Sequence, residues 1–567
     1  MHCFPDLYIS RSELNPNLIN SRLNGASPQA IINNLQINCF ANFELLNKAY
    51  SDFCETSEYF VVILGEIYTY RKYRLSDRSV NLFQKLSEDI QSKNFDINNL
   101  NGHFLLILIE KNDNIIHVYT NRLGTFHGYY SQELGLITSH FGSLKQLNGI
   151  ESVDTDAIKK FVKYGFFTND TTYFTNCKIF SPATHYVFDK DLKLINQEVY
   201  WNFKYSPEKV TMKQVVARYD KVLTEVMNDL ILDESIVLPI SGGLDSRNTV
   251  AIATKINENL KSYSYGLYAD NPETRISNKI ANTRKLNFKS EIISNYLFDR
   301  KDDIIDAVEG FQYIDGTRQV QMSEWLSNNS KNVIAAHWGD VWNDWMEVTE
   351  SDVDLNNFLD KKFAKRGYQK VFKYFGWDES ELNKPFEKQI IDFDSRANGD
   401  KDFCIKMIKT FQWSHRWTMA SIRAYQLGSF PRLPFYDNRI VDFFMTIPLD
   451  IVKDRNLQIE YLKEYHPDLA KIVWQEYGRN LFNYKGFNNR HIIFRVYKKI
   501  RSLFTGKVIL RNWEVFYLGS ENEKRLREIF KEDSRAIELL NDFYANPDGA
   551  NGYSISVLLT LKFMHII

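Results

Sequence analysis

Residues 236–246 read Ile-Val-Leu-Pro-Ile-Ser-Gly-Gly-Leu-Asp-Ser, an apolar run that breaks into a double glycine and resumes as a helical pattern. No other stretch constrains the fold as much. The run Ile236–Ile240 is short and apolar throughout, as expected of a strand buried on both faces. Strand candidates recur at Ser262–Leu267, Ser290–Ile293 and Val333–Ala336, with helical spacing between them and over Met212–Leu230. Such alternation predicts an α/β unit with a parallel, doubly wound sheet. Beyond about Glu350 the chain reads as helical and rich in aromatics.

The hexapeptide Ser241-Gly242-Gly243-Leu244-Asp245-Ser246 has its own chemistry. Two glycines let a backbone turn tightly and approach an anion. The helix behind them offers unpaired N–H groups and the positive end of its dipole. Ser241 and Ser246 add hydroxyl donors. An acid at Asp245 inside an anion cradle makes electrostatic sense when a cation is shared, most simply Mg²⁺. The loop is not a Walker A, because G-x-x-x-x-G-K-[ST] occurs nowhere in the chain.

The first 200 or so residues follow a different grammar. Tyr59–Leu64 is an apolar run that ends at Gly65, and His103–Glu110 and Asn114–Tyr119 flank a polar Lys111-Asn112-Asp113 turn. Asp154–Tyr164 has helical spacing, and Tyr186–Phe188 with Glu198–Tyr200 read as a closing pair of strands. Trp201–Glu208 is polar and reads as a linker. The chain has 567 residues, too many for one ordinary core. Its 70 Lys and Arg against 71 Asp and Glu give no basic excess, which argues against a nucleic-acid partner. The basic stretch Arg495–Arg511 reads as an amphipathic surface helix, with a nucleic-acid or membrane patch as the alternative. No apolar run approaches the ~20 residues of a membrane span, so no membrane partner is expected. Met1–Asp6 has no leader-like pattern, and five scattered cysteines form neither a disulfide framework nor a zinc pattern. A reducing, cytoplasmic location is expected.

The hexapeptide resembles the PP-loop of ATP pyrophosphatases, S-G-G-x-D-S, and the remainder of the chain is similar to glutamine-dependent asparagine synthetase B. Gly65-Glu66-Ile67-Tyr68, Leu100-Asn101-Gly102-His103-Phe104 and Asn121-Arg122-Leu123-Gly124 resemble stretches of that family's amidotransferase domain, and Tyr200-Trp201 resembles its closing pair. Gly339-Asp340 falls where the family has its second acidic loop, and Arg432-Leu433-Pro434-Phe435-Tyr436-Asp437 resembles its R-V-P-F-L-D segment. Lys485-Gly486-Phe487 loosely resembles its basic loop. The resemblance implies three regions. Residues 1–205 would be an Ntn-hydrolase-like β-sandwich of amidotransferase type, 206–500 a PP-loop domain, and 501–567 a helical extension.

It also implies a site. Residues Ser241 to Ser246 would bind the pyrophosphate of ATP, Asp245 and Asp340 would hold Mg²⁺, and Lys485 would be a cation for the same pyrophosphate. Each has a plainer reading: Asp340 as a helix cap, Lys485 as an exposed loop lysine, Arg432 as a structural ion-pair arginine. The family's second loop reads S-G-E-G-x-D-E, whereas here Ala335-Ala336-His337-Trp338-Gly339-Asp340-Val341 puts His337 at the Glu position. An ordinary histidine, near pKa ~6.5, would suit a base for an attacking amine; the plainer reading packs it beside Trp338. The amidotransferase half departs further. The family's nucleophile is an N-terminal Cys with a free amine, but His2 precedes Cys3, and a large second residue normally keeps Met1 in place. Leu64 replaces the Asn that serves as an oxyanion donor, a loss worth ~10²–10³ in rate.

The expectation is an ATP-dependent carbon–nitrogen ligase that forms acyl-AMP and transfers it to a nitrogen nucleophile, with an inactive glutaminase half. Its partners would be a small-molecule or peptide carboxylate and an amine or ammonia, and a homodimer is compatible with the sequence. The alternatives are a catalytically silent two-domain scaffold, or an amide-bond cyclase of β-lactam synthetase or lasso-peptide type. A PP-loop tRNA-modifying enzyme is disfavoured by the missing basic excess and cysteine pair.

Overall fold

The computed structural model describes residues 4, 6–11, 50–144, 152–232, 235–269, 271–382, 384, 386–486, 496 and 516–567, with the backbone alone for 30–32 and 37–41. Met1, His2, Cys3, Phe487 and nearly all of Arg495–Arg511 lie outside the described residues. The architecture is mixed α/β: two antiparallel sheets, one parallel sheet and many helices.

The antiparallel sheets form a sandwich. One runs in the order Lys178–Ile179, Tyr129–Ser131, Leu136–Thr138, Leu7–Ser10, Ile37–Ala41, Ala30–Ile32. The other is centred on Tyr59–Tyr70 and Leu100–Glu110, which pair antiparallel. Strand alternation divides the buried residues. Phe60, Val62, Leu64, Leu105, Ile107 and Ile109 face the first sheet. Val61, Ile63, Phe104, Leu106 and Leu108 face the Leu82–Gln91 helix, which buries Leu82, Phe83, Leu86 and Ile90 against them. That helix is capped by Asn81, whose side chain accepts from Gln84 N at 3.0 Å.

Gly65 does not end its strand, as the sequence pattern had it. The strand runs twelve residues, Tyr59–Tyr70, straight through it. Gly65 has φ +101°, and a Cβ there would lie 2.0 Å from the His103 carbonyl oxygen. The glycine marks a close approach of two backbones rather than a turn.

The parallel sheet has the order Asn287–Ile292, Lys261–Gly266, Ile236–Pro239, Asn332–Ile334, Phe430–Arg432. The first strand in sequence is thus the middle one, and the connections leave it toward opposite edges. Met212–Leu230 forms as read, and its start is fixed by a capping box between Thr211 and Gln214. The Phe430–Arg432 strand was not legible in the sequence, because its three residues carry no alternation. It closes one edge of the sheet. Tyr50 covers it, stacking on Phe430 at 4.2 Å and donating to Lys331 O at 2.8 Å.

The same edge strand joins the sandwich to the parallel unit. Arg432 forms a bidentate pair with Glu66, Nη2–Oε1 at 2.6 Å and Nε–Oε2 at 2.7 Å, and both side chains are buried. Leu433 N donates to Tyr68 Oη at 3.0 Å, and Asn101 Nδ2 donates to Asp437 Oδ2 at 3.0 Å. Arg432 is therefore an inter-sheet tie, the plainer of its two sequence readings. The three C-terminal helices Ser520–Ile529, Ser534–Ala545 and Gly549–Phe563 share a core with the Thr155–Tyr164 helix and with apolar residues of 296–320 and 368–375. Among the described residues no helix is long and apolar enough to cross a membrane.

A buried, hydrogen-bonded ion pair is costly to break from one side. Arg432→Met should destabilise the chain by about 3–5 kcal/mol in denaturant unfolding. The double variant Glu66→Leu/Arg432→Met should recover most of that loss. Equal losses in the single and double variants would show that packing, not the charge pair, joins these sheets.

Candidate active site

The Ser241–Ser246 loop leaves the C-terminal end of the middle strand, where strand order reverses and open α/β sheets form a crevice. The Asp245–Ile256 helix follows, and its N-cap residue Leu244 makes no side-chain cap hydrogen bond. The first-turn amides thus receive no side-chain cap and remain suited to an anion. Ser246 Oγ accepts from Ser241 N at 3.0 Å and lies 3.0 Å from Ser241 Oγ, so the hydroxyls close the loop on itself. Neither Gly242 nor Gly243 sits at positive φ. A Cβ on Gly242 would lie 2.2 Å from Gln475 Oε1, whereas one on Gly243 would meet only Ser241 Oγ, at 3.3 Å. Close approach, rather than a strained turn, is the reason for Gly242.

A segment far along the chain supports the loop. Gln475 N donates to Gly242 O at 3.2 Å. The fully buried Arg247 donates to the carbonyls of Leu469, Ile472 and Val473 at 3.2, 3.0 and 2.9 Å. Burial lowers its guanidinium to about 10, still charged at neutral pH.

The second acid arrives on the loop after Asn332–Ile334. Trp338 adopts φ +77°, a region costly for a bulky residue by about 1–3 kcal/mol. It is held there by its Nε1–H on Thr410 Oγ1 at 3.2 Å and by the Tyr436 ring at 6.1 Å. The turn lays Gly339 against Asp245, where a Cβ would come within 2.8 Å of Oδ1. Asp245 and Asp340 consequently line one cavity. Asp245 Oδ1 accepts from Arg455 Nη2 at 2.9 Å and Gln458 Nε2 at 2.8 Å. Arg455 and its neighbour Asp454 both have positive φ, 64° and 58°. Desolvation raises the Asp245 carboxyl to about 6, Arg455 opposes the rise, and Asp340 adds to it.

A divalent cation fits this pair. Two carboxylates from separate loops disfavour each other's charge, and one shared ion would relieve both. Among the described residues no group of three or more His, Cys, Asp or Glu could hold a metal. A two-acid site suits Mg²⁺, which keeps water and takes phosphate oxygens for its remaining positions.

The cavity is about 450 Å³, within the usual range for a small-molecule site. Ser264, Tyr265, Glu273 and Arg318 line it, together with His337, Trp338, Lys409, Trp413 and Trp417. His337 is half-buried, its Nδ1 has no hydrogen-bond partner, and desolvation lowers its imidazole to about 4. Lys409, Trp413 and Trp417 lie on a ten-residue π-helix, Lys409–Thr418. A widened helix of that kind is common at functional sites, and the sequence carried no signal for it. Lys485 is exposed, 5.8 Å from the Tyr484 ring, and does not line the cavity. The cations at the site are instead Arg455, Lys409 and Arg318, which the sequence reading missed because they come from segments without a motif.

No protein-family model matches the chain. The chain is similar to the protein named asparagine synthetase [glutamine-hydrolyzing] 1 from Bacillus subtilis (strain 168), 23% identical over 234 residues. The match covers 37% of this chain and 35% of that protein, so the chain spans about a third of its relative's length. The kinship is distant.

The raised Asp245 carboxyl predicts a pH dependence. Mn²⁺ binding to the full chain without nucleotide should strengthen as pH rises through about 6 and level off above it, because the cation competes with a proton. Asp245→Asn should remove the dependence. A wild-type profile flat from pH 5 to 7.5 (by electron paramagnetic resonance of free Mn²⁺) would place the cation elsewhere.

Proposed function

We propose that this chain is an ATP-dependent, amide-forming ligase of asparagine synthetase type, which activates a carboxylate and passes it to a nitrogen nucleophile. One observation carries the reading: an uncapped helix N-terminus behind a double glycine bears one acid, Asp245, and shares a cavity with a second acid, Asp340, from another loop. That pairing has no use in a phosphate-free binding shell. Holding Asp245 in a desolvated position costs stability, so the geometry also weighs against a silent scaffold. The division at 205/206 and 500/501 belongs to the same proposal, as does a homodimer.

On this reading the substrate carboxylate oxygen bonds to the α-phosphorus of ATP, and the bond to the β-phosphate oxygen breaks. Acyl-AMP forms and pyrophosphate leaves. Ser241, Ser246 and the first-turn amides would hold the phosphates. Asp245 and Asp340 would hold Mg²⁺, which would offset charge on the departing group. The nitrogen nucleophile then bonds to the acyl carbon, AMP leaves with the C–O electron pair, and the amine's proton passes to a base or to water. The protein's contribution is positioning and electrostatics.

The nitrogen source on this reading is ammonia or a substrate amine. Leu64 is fully buried among the apolar residues between the sandwich sheets and has no polar atom to donate. Cys3 lies outside the described residues. The carboxylate partner is a small molecule or a peptide.

Incubation of the protein with ATP, Mg²⁺ and an accepted carboxylate should yield AMP and pyrophosphate. Asp245→Ala and Asp340→Ala should each abolish this while the melting curve stays cooperative. ADP as the main nucleotide product would exclude the reading.

His337 was expected to titrate near the ordinary histidine value and to serve as the base. Desolvation lowers it to about 4, so it is neutral from about pH 5 upward and stores a proton poorly. A neutral imidazole suits orientation of the amine through a hydrogen bond. His337→Ala should slow amide formation by ~10²-fold or less and spare ATP–pyrophosphate exchange. The wild-type rate of the second step should show no inflection near pH 6.5 that the variant loses; finding one would restore His337 as the base.

A further inference from the structure

One wall of the cavity is unusual. Lys409, Trp413 and Trp417 are spaced four residues apart on the π-helix and all line the cavity beside Trp338. The Lys409 ammonium lies 4.9 Å from the Trp413 ring centre and 5.7 Å from that of Trp338. Among the described residues no ion pair or hydrogen bond engages its Nζ. Lys365, behind the wall, lies 4.5 Å from the Trp413 centre and 5.4 Å from that of Trp417. It too makes no ion pair among the described residues. Two ammonium groups thus flank one indole, neither of them in an ion pair among the described residues, and the acids that act on Lys409 through space are Asp340, Asp344 and Glu347.

The acids of the cavity already answer to its own cations. Asp245 is engaged by Arg455 and Gln458, Glu273 feels the charge of Arg318, and Asp340 acts on both Asp245 and Lys409. An α-ammonium group on the Trp wall would meet Lys409 and would have to compete with it for the field of Asp340. Trp338 has its Nε1–H committed to Thr410, so its ring offers only apolar surface. A desolvated cation gains most from an anion that arrives with it into the same low-dielectric space.

We infer that this cavity takes an acid with a ring-sized apolar or aromatic body, anchored through an anionic oxygen on Lys409, and not a small zwitterionic amino acid such as aspartate. Lys409 is in this role a binding residue whose cation–π contacts to Trp338 and Trp413 hold it toward the cavity. The wall is built before the ligand arrives, because Trp413 is stacked at 6.2 Å on Phe166 and Trp417 packs edge-on to Tyr313 at 5.0 Å. The chemistry that follows binding rests on the ligase reading; the binding itself does not.

Isothermal titration of the full chain with cinnamate, phenylacetate and 4-hydroxybenzoate, against aspartate and glutamate, tests this with and without ATP and Mg²⁺. At least one aryl acid should bind tenfold or more tightly than aspartate. Lys409→Gln should weaken that binding tenfold or more, Lys409→Arg should restore it to within a few-fold, and Trp413→Leu should weaken it with an unchanged melting curve. Aspartate binding as tightly as the aryl acids, no binding by any aryl acid, or a Lys409→Gln variant of unchanged affinity would each overturn the inference. ATP–pyrophosphate exchange separates the two readings. Aryl-acid binding without exchange keeps the pocket assignment and rejects the ligase. Exchange with aspartate alone keeps the ligase and rejects the pocket assignment.

Discussion

A parallel sheet whose first strand lies in the middle must send its connections to opposite edges, and the chain ends of that strand are left flanked by a crevice. In this protein the crevice opens at Ile236–Pro239, between Lys261–Gly266 on one side and Asn332–Ile334 on the other. Everything chemical depends on it. The Ser241–Ser246 loop enters the crevice from the middle strand, and the Asp340 loop enters from the neighbour. The two acids meet because the strands that carry them are adjacent, not because their residues are near in sequence.

The meeting has costs that the surrounding structure offsets. Asp245 is desolvated beside a second acid, and Arg455 and Gln458 counter this from a segment that needs two consecutive residues at positive φ. Trp338 sits in a backbone region that suits glycine, pinned by Thr410 and Tyr436. Strain at a bulky residue persists only when its neighbours over-determine it. Thr410 follows Lys409 on the π-helix, so the strained turn is pinned by the element that carries the cavity wall.

The sandwich half positions the site from behind. Glu66 and Arg432 tie its longest strand to the edge strand of the parallel sheet. The residues that resemble an amidotransferase, Gly65 and Gly102, act here through backbone proximity. A Cβ on Gly102 would fall 2.3 Å from Glu66 O, and one on Gly65 would meet His103 O. Those glycines let the two strands approach closely on either side of the Glu66–His103 pair.

Local pattern was enough for the strand–loop–helix at Ile236–Ile256, the capped helix Met212–Leu230 and the hairpin around Lys111–Asp113, because each is specified by neighbours within a few residues. Local pattern also named Ser241 to Ser246, Asp245, Asp340 and His337, and each of these lines the cavity or supports its loop. It could not supply Arg455, Lys409 or Gln475, nor show that Lys485 lies exposed away from the cavity. A cation's role is set by which carboxylate it faces after folding, and no spacing rule encodes that. Nor could sequence distinguish a histidine near its ordinary pKa from one lowered to about 4. Residue type determined that His337 can carry a proton; only the packing around it decided that at neutral pH it does not, because desolvation penalises the charged ring.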